Sequence, residues 1–564
     1  MKPSYTFLTA LAVACCANAQ DINREITVDR ELLPVENDAR RLPLIPEVSL
    51  PEVTPVRLSV TGRAVTTAVP PSLRRLDPAV WAGPDDMPKR RGYVSLGLGA
   101  PAFDGLFSAG YRLVDTEATR VAAWMQFDSN VWSRLGSWWR TYGGAVGADA
   151  VHRFGSSSLL EASASWSVDR HNMPRIGERR YWLTSNRADV SARWSSAAGS
   201  LDYTIGARYG WFGYAAPSVA MPLRDLKGVR QNRFAASADA WLPTSDCAEA
   251  GLGIDLDLLG SSASAVAMPG GDFLRAAGST VGVLSVTPMW RLRSATWTVA
   301  VGPRVQFTFN GGKAFHIAPV VEAAWTPSSF FAVGISAGGG EHLNTLADLS
   351  QEALRQMPWQ APSMSHLPLT VGADITVGPW HGAWLRLFGG WAKANSWAMP
   401  AVPGGALAAG IRWENTDISG GHLGAEIGAK VRSWLEVSAS YTSAPSDYDT
   451  AWYLSRDRAR HVVDARLAVR PLSLLTVDVS WQLRAGRALY VSEAVSGPLG
   501  FTSYSRDRLN PGNVSLLTAG ASYRVSQRLT VFARGENLLN RASLRLDLTP
   551  EQSARGLVGA TLTF

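Results

Sequence analysis

The sequence predicts an all-β protein, a closed antiparallel transmembrane β-barrel of about 22 strands with short periplasmic turns and long extracellular loops. Three observations support this fold class. Apolar and polar residues alternate over long runs such as 201–211 and 475–483. Short and long connections alternate from residue 92 to the end of the chain. No stretch reaches the roughly 18 continuous apolar residues of a membrane helix, whereas about 9–11 tilted residues suffice for a membrane strand.

Residues 1–19 have the features of a secretory signal peptide. Lys2 supplies a charged start, residues 7–16 an apolar run, and the small residues 17–19 a cleavage site before Gln20. Lipid attachment at Cys15 or Cys16 is an alternative, although a barrel needs no lipid anchor.

Three cysteines occur in the sequence, and two of them leave with the predicted signal peptide. Cys247 alone remains, so no intramolecular disulfide is expected in the mature chain.

The mature start, residues 20–91, differs in composition from the rest of the chain. Ten prolines occur between Asp21 and Arg91. Proline at this density prevents a helix and removes the backbone donors of a β-ladder. We therefore expect an extended, Pro-rich periplasmic arm, followed by a barrel over residues 92–564.

The strand count comes from the spacing of the connections. Short connections are predicted at 114–118, 155–158, 195–200, 243–250, 292–295, 326–329, 378–382, 432–434, 471–473 and 525–528. A first count gives 23 strands, with an extra one over 406–413. Treating 393–420 as one long loop restores the alternation, gives 22 strands and places both chain ends on the same side.

Composition argues against a nucleic-acid-binding protein. The net charge is +7 and the pI about 9.4, but the 54 basic residues are spread among 47 acidic ones without a basic cluster. Charges of both signs, such as Arg187, Asp189, Arg208, Asp255 and Asp257, fall on the predicted inner face. Mixed signs on neighbouring strands favour cross-strand pairs that stiffen the wall over an ion-selective ring.

The C-terminal stretch carries a family resemblance. Residues 532–540 are Phe-Ala-Arg-Gly-Glu-Asn-Leu-Leu-Asn, and the last strand ends with Leu562 and Phe564 on one face. This end resembles that of TonB-dependent receptors. The resemblance implies a 22-stranded barrel in the bacterial outer membrane with both termini in the periplasm, and Leu562 and Phe564 as the signal for the barrel-assembly machinery.

The resemblance also bears on the arm. Segment 25–29 (Glu25, Ile26, Thr27, Val28 and Asp29) resembles the box by which such receptors pair with a periplasmic energy-coupling protein. An extended segment of this kind can add a strand to another protein's sheet. A strand along the barrel rim, or disorder, is the alternative. The family's plug domain is about twice as long as the arm, so the usual plug is not expected.

These observations favour uptake of a substrate through the outer membrane. The alternative is a barrel that serves as one subunit of an envelope assembly, export or surface-lipoprotein complex. A weaker third hypothesis is a hydrolase built at the rim from the pairs Glu341-His342 and Ser365-His366, which would need Ser365, His342 or His366 to converge there. The eight histidines are scattered, and no pair has metal-ligand spacing on one strand face. The sequence therefore predicts no enzyme, no cofactor and no metal site.

Overall fold

The computed structural model describes residues 90–564 apart from fourteen short gaps. The predicted signal peptide, nearly all of the predicted arm and segment 25–29 lie outside the described residues. The gaps are 103, 135, 156, 177–178, 199–200, 216–228, 263–265, 268–272, 275–278, 354–363, 404–411, 445–458, 497–501 and 546–548.

Long β-strands make up most of the described chain. They are β1 Gly92–Ala100, β2 Gly105–Asp115, β3 Thr119–Arg134, β4 Ser137–Phe154, β5 Ser158–Ile176, β6 Arg179–Ala198, β7 Leu201–Ala215, β8 Arg230–Ser245, β9 Ala248–Ser262, β12 Ser279–Arg293, β13 Trp297–Phe309, β14 Phe315–Ser328, β15 Phe331–Leu343, β16 Met364–Trp380, β17 Ala383–Pro403, β18 Arg412–Arg432, β19 Leu435–Ser443, β20 His461–Leu472, β21 Leu475–Ala485, β24 Val514–Arg524, β25 Leu529–Glu536 and β26 Arg555–Thr563. Two small hairpins, β10 Val266–Ala267 with β11 Phe273–Leu274 and β22 Leu489–Ser496 with β23 Thr502–Leu509, and the helix α1 Leu346–Glu352 lie in the connections.

The long strands form one closed antiparallel barrel of 22 strands, which confirms the predicted fold class. Each strand pairs with the next, and the first pairs with the last from Tyr93↔Thr563 to Ala100↔Gly556. The hairpin β22–β23 stands outside the wall, because β21 pairs directly with β24. β22 instead runs parallel to the end of β17.

The two ends of the barrel differ in their connections. The ten predicted short turns are confirmed, and they share one end with Gly92 and Phe564; we call this the turn end. The eleven other connections lie at the opposite end, which we call the loop end. Among the residues that the structure describes, no helix is long and apolar enough to cross a membrane.

The predicted loop 393–420 is largely wrong in its bounds. β17 and β18 continue to pair as far as Ala401↔Arg412, so only 404–411 separates them. The spacing also predicts a loop over 129–139, whereas β3 and β4 pair as far as Arg134↔Ser137. A hairpin satisfies its backbone groups in water as well as in lipid, so the ladders extend beyond the length that a bilayer requires.

The outer face of the barrel is apolar. Leu98 is 68% exposed, Val558 62% and Ile317 63%, although a soluble protein would bury such side chains. Exposed tryptophans gather near the turn end, where Trp297 and Trp325 are cross-strand partners. Aromatic side chains at this height are typical of the girdle at a membrane interface.

The seam between β1 and β26 is held by the chain terminus. The Phe564 N–H donates to the Gly92 carbonyl at 2.9 Å, and the Phe564 carbonyl accepts from the Gly92 N–H at 2.8 Å. Leu562 and Phe564 are 47% and 50% exposed, and the Phe564 ring stacks on Tyr111 with 6.3 Å between centroids. Both residues are therefore part of the closure, and their role as an assembly signal stays a prediction.

Close packing at the seam leads to a first prediction, because a Cβ on Gly559 would collide with the Leu96 carbonyl oxygen and the Phe532 ring. Gly559→Ala should destabilise the folded barrel by about 1–3 kcal/mol, the usual cost of overpacking, measured from urea unfolding in lipid vesicles. Gly556→Ala on the same strand is the control, since a Cβ there meets nothing within 4 Å. Equal unfolding midpoints for the two variants would contradict the packing argument.

Candidate functional site: the covered mouth of the barrel

A segment of the β15–β16 connection folds into the mouth at the loop end. We call residues 344–353 the lid segment; it contains α1. Thr345 caps the helix, since its Oγ1 accepts from the Asp348 N–H at 3.0 Å. The same hydroxyl donates to the Asp348 carboxylate at 2.7 Å, an arrangement that stabilises a helix start. The sequence pattern predicts a helix over 346–357, and the structure confirms its first half; residues 354–357 lie outside the described residues.

One side of the lid segment docks against β6, β7 and the start of β8. The Leu346 N–H donates to the buried Gln231 side chain at 2.7 Å. Gln231 is itself held by Ser261 at 3.0 Å. The Leu346 side chain packs in a buried apolar cluster that includes Leu183 and Phe212. A hydrogen bond and an apolar contact therefore fix the beginning of the helix to this part of the wall.

The other side of the lid segment docks against β17 and β18. Leu349 and Ala353 pack with Ala398 and Trp413, and all four are buried. Six barrel strands, β9 and β12–β16, lie between this contact and the one on β6–β8. The lid segment therefore lies across the inside of the mouth.

Two further connections at the loop end are joined to each other by a buried contact. Arg487, which is fully buried, donates to the Leu544 carbonyl at 3.1 Å and so joins the β21–β24 connection to the β25–β26 connection. The resemblance motif lies at the start of the latter. Asn537 and Asn540 have φ values of 46° and 47°, a conformation that asparagine tolerates better than most residues. Arg134 of β3 donates to the Asn540 side chain at 2.6 Å.

A buried ionic group lies beside this motif. Arg555 Nε is 3.0 Å from Asp104 Oδ2, and Arg555 Nη1 is 3.6 Å from Glu536 Oε2. Burial raises the pKa of the Asp104 carboxyl, and the Arg555 charge and the Val131 N–H oppose that shift. Removing one member would leave a buried charge unpaired, which is strongly destabilising, so this group fixes the first and last connections of the barrel together.

Ion pairs line the inner wall below the mouth. Asp189 pairs with Arg187 on its own strand and with Arg208 on the next at 2.8 Å. Arg233 pairs with Asp257 at 2.6 Å. These contacts confirm that mixed charges on neighbouring strands form pairs within the wall.

Three potential metal ligands converge at the foot of the lid segment. Glu341 Oε1 lies 2.6 Å from His316 Nε2 and 3.0 Å from His366 Nδ1. The three side chains come from β15, β14 and β16, and they are 2%, 7% and 23% exposed in that order. The two imidazole rings stack with 4.1 Å between centroids. Each of the three named atoms is buried and has no hydrogen bond of acceptable geometry. We call these residues the His-Glu cluster.

An irregularity in β15 turns Glu341 inward. The register of β15 against β16 shifts between Gly338 and Gly340, and Gly340 has a φ of 136°, which favours glycine. The Glu341 N–H donates to Gln306 at 2.8 Å and holds this geometry. Ile335 points outward at 53% exposure, whereas Glu341, six residues later, contacts His316 on the inner face. In a regular strand the two would share a face.

The cluster was not predicted from the sequence, because the spacing assigns Glu341 and His366 to a long loop over 339–367. The search for ligand pairs also considered only one strand face at a time. The cross-strand pair Glu341↔His366 was the available signal, because a hairpin brings its two root residues together. The prediction of no metal site did not consider this cross-strand pair.

The residues of the hydrolase hypothesis are arranged otherwise. Ser365 Oγ donates to the Ser396 carbonyl at 2.8 Å and accepts from the Asn344 amide at 2.7 Å. A nucleophilic serine must donate its hydroxyl proton to a base, whereas the Ser365 hydroxyl donates a hydrogen bond to a backbone carbonyl. His342 stacks on Trp397, while His366 belongs to the His-Glu cluster. The structure therefore offers Ser365 a structural role.

Comparison with known proteins rests on the fold. No protein-family model and no curated protein matches the sequence. Among solved structures, a ferric enterobactin receptor from Pseudomonas aeruginosa is 11% identical with a TM-score of 0.60, over 84% of this chain and 80% of that one. The siderophore receptor PirA from Acinetobacter baumannii is 9% identical with a TM-score of 0.62, over 85% and 81%. The FrpB iron transporter from Neisseria meningitidis is 10% identical with a TM-score of 0.60, over 85% and 82%.

The chain therefore has the fold of a TonB-dependent receptor barrel, which confirms the resemblance drawn from its C-terminal stretch. A closed 22-stranded barrel with an apolar outer face supports an outer-membrane location. These neighbours are described as a ferric enterobactin receptor, a siderophore receptor and an iron transporter.

Packing of the lid segment leads to a second prediction. Leu349 is 1% exposed, so Leu349→Ala should lower the free energy of lid opening by about 2 kcal/mol or more, as at other buried leucines. Hydrogen exchange of the Leu349 and Ala353 amides, both bonded within the helix, should become faster. Leu423→Ala is the matched control, since Leu423 is 68% exposed on the outer face. Unchanged exchange in Leu349→Ala would show that the lid is held by other contacts.

Proposed function

We propose that this protein is an outer-membrane uptake barrel whose mouth is closed by the lid segment. The observation that carries the proposal is the docking of residues 344–353 against two separate parts of the inner wall. A 22-stranded barrel encloses a wide lumen. Barrels of this size are closed by a plug or by inward-folded loops. A segment that is fixed by a few contacts at each side is suited to opening when a substrate binds.

The proposed substrate class is a ferric chelate. The structural neighbours are described as a ferric enterobactin receptor, a siderophore receptor and an iron transporter. A paired, mixed-charge wall offers polar contacts without selecting one sign of charge, which suits a bulky polar solute. Energy for uptake would come from a periplasmic coupling protein that pairs with the segment Glu25 to Asp29.

The proposed orientation places the loop end outside the cell and both termini in the periplasm. Cys247 lies exposed in the 246–247 connection at the turn end. A maleimide on a long polyethylene glycol chain should therefore label Cys247 in lysed cells but not in intact ones. In a Cys247→Ser background, Ser133→Cys at the loop end should be labelled in intact cells. The opposite pattern would reverse the orientation.

The uptake proposal is tested by single-channel conductance in planar bilayers. The mature protein should be closed, and replacing residues 345–352 by a Gly-Ser linker of equal length should open a large, steady conductance, because the bridge across the mouth is lost. A variant lacking residues 21–91 distinguishes the arm from the lid segment as the barrier.

Three results decide between the hypotheses. Opening by the linker variant, together with faster ferric-chelate entry into vesicles, supports a lidded uptake barrel. Conductance of the unchanged mature protein would overturn the lid as a barrier. A closed channel even when both the lid and the arm are replaced would overturn uptake and favour a subunit of an envelope complex.

A further inference from the structure

We infer that the His-Glu cluster is a binding site for a divalent transition-metal ion of the zinc type, made by His316, Glu341 and His366. The inference is independent of the substrate proposed above. It rests on the convergence of three ligand atoms from three neighbouring strands, all within 4.8 Å of one another.

The chemistry of the three side chains selects the metal. Two imidazoles and one carboxylate are the ligand set of many zinc sites that keep a fourth position open. Imidazole nitrogens suit zinc, copper, nickel and iron, whereas magnesium and calcium prefer oxygen ligands alone. We therefore expect zinc-type ions to bind and magnesium to compete poorly.

The separations are close to those of a metal site. Ligand atoms about 2.0–2.1 Å from a tetrahedral zinc ion lie roughly 3.3 Å from one another. In the cluster, Glu341 Oε1 is 2.6 Å from His316 Nε2 and 3.0 Å from His366 Nδ1. Metal binding would therefore require these two distances to widen by about 0.7 Å and 0.3 Å.

The Nε2 atom of His316 is available to a metal ion, since it is buried and has no hydrogen bond of acceptable geometry. A ligand histidine commonly donates its second ring N–H to a carbonyl, which fixes the ring and leaves the other nitrogen free for the metal. The hydrogen bond from the Glu341 N–H to the Gln306 side chain fixes the backbone of Glu341.

The position of the site gives it a mechanical consequence. Glu341 is near the end of β15 and His366 near the start of β16, so they stand on the two strands from which the lid segment emerges. A metal ion bound to both would join the two roots of the lid segment and add β14 through His316. Metal binding should therefore stabilise the closed mouth by mass action.

Zinc binding to the purified full-length mature protein tests the inference. The protein should carry an affinity tag without histidine and be treated first with a chelator. Isothermal titration and metal analysis after dialysis should give one tightly bound zinc ion per chain, unaffected by excess magnesium. Glu341→Gln and His366→Ala should each weaken this binding at least about tenfold.

His461→Ala is the matched control, because His461 also lies at the loop end but bonds to Tyr441. It should leave the affinity unchanged, and heat-modifiable gel mobility should show that all variants are folded. Absence of stoichiometric zinc binding to the unchanged protein would overturn the inference, as would equal affinities in the cluster and control variants. Neither result would affect the conductance test of the lid, so the two proposals fail separately.

Discussion

Backbone groups in a bilayer must find their partners within the protein, because hydrocarbon offers none. The rest of the structure depends on this constraint. It requires that β1 meet β26, and the terminal Phe564 contributes both its N–H and its carbonyl to that seam. It also removes every free edge from the wall. Closure has a further consequence, because a ring of 22 strands encloses a lumen that its own side chains do not fill.

The connections at the loop end are placed where they can cover this lumen. They are free of the hydrocarbon constraint, and so they can combine hairpin, helix and irregular backbone. The lid segment is held on one side by the Gln231 hydrogen bond and the packing of Leu346, and on the other by the apolar contacts of Leu349. The buried pair Asp104–Arg555 joins the outermost connections in the same region. Rigid ladders below thus support a mouth that is held by a small number of separable contacts.

Much of the fold could be predicted because lipid enforces a simple period. All ten short turns were found from spacing, since a two-residue alternation between turns has little freedom. The loop bounds failed where ladders such as Ala401↔Arg412 continue into water, because the sequence there keeps no lipid-facing pattern. The His-Glu cluster was missed because residues 339–367 were assigned to a loop, although β15 and β16 pair as far as Leu343↔Met364. An irregularity beside Gly340 also reverses which residues of β15 face inward. The alternation pattern does not reveal where along the strand this reversal occurs.

That irregularity also explains how such a site can exist in a barrel wall. A regular wall brings inward side chains of adjacent strands close together, either directly opposite or diagonally, as in the diagonal ion pair of Arg233 and Asp257. At the His-Glu cluster β15 departs from the regular pleat, as bulges do near functional sites. Gly340 supplies the departure, Gln306 holds it, and Glu341 is brought between His316 and His366. The local departure from the period that specifies the barrel is therefore what creates a three-ligand site within it.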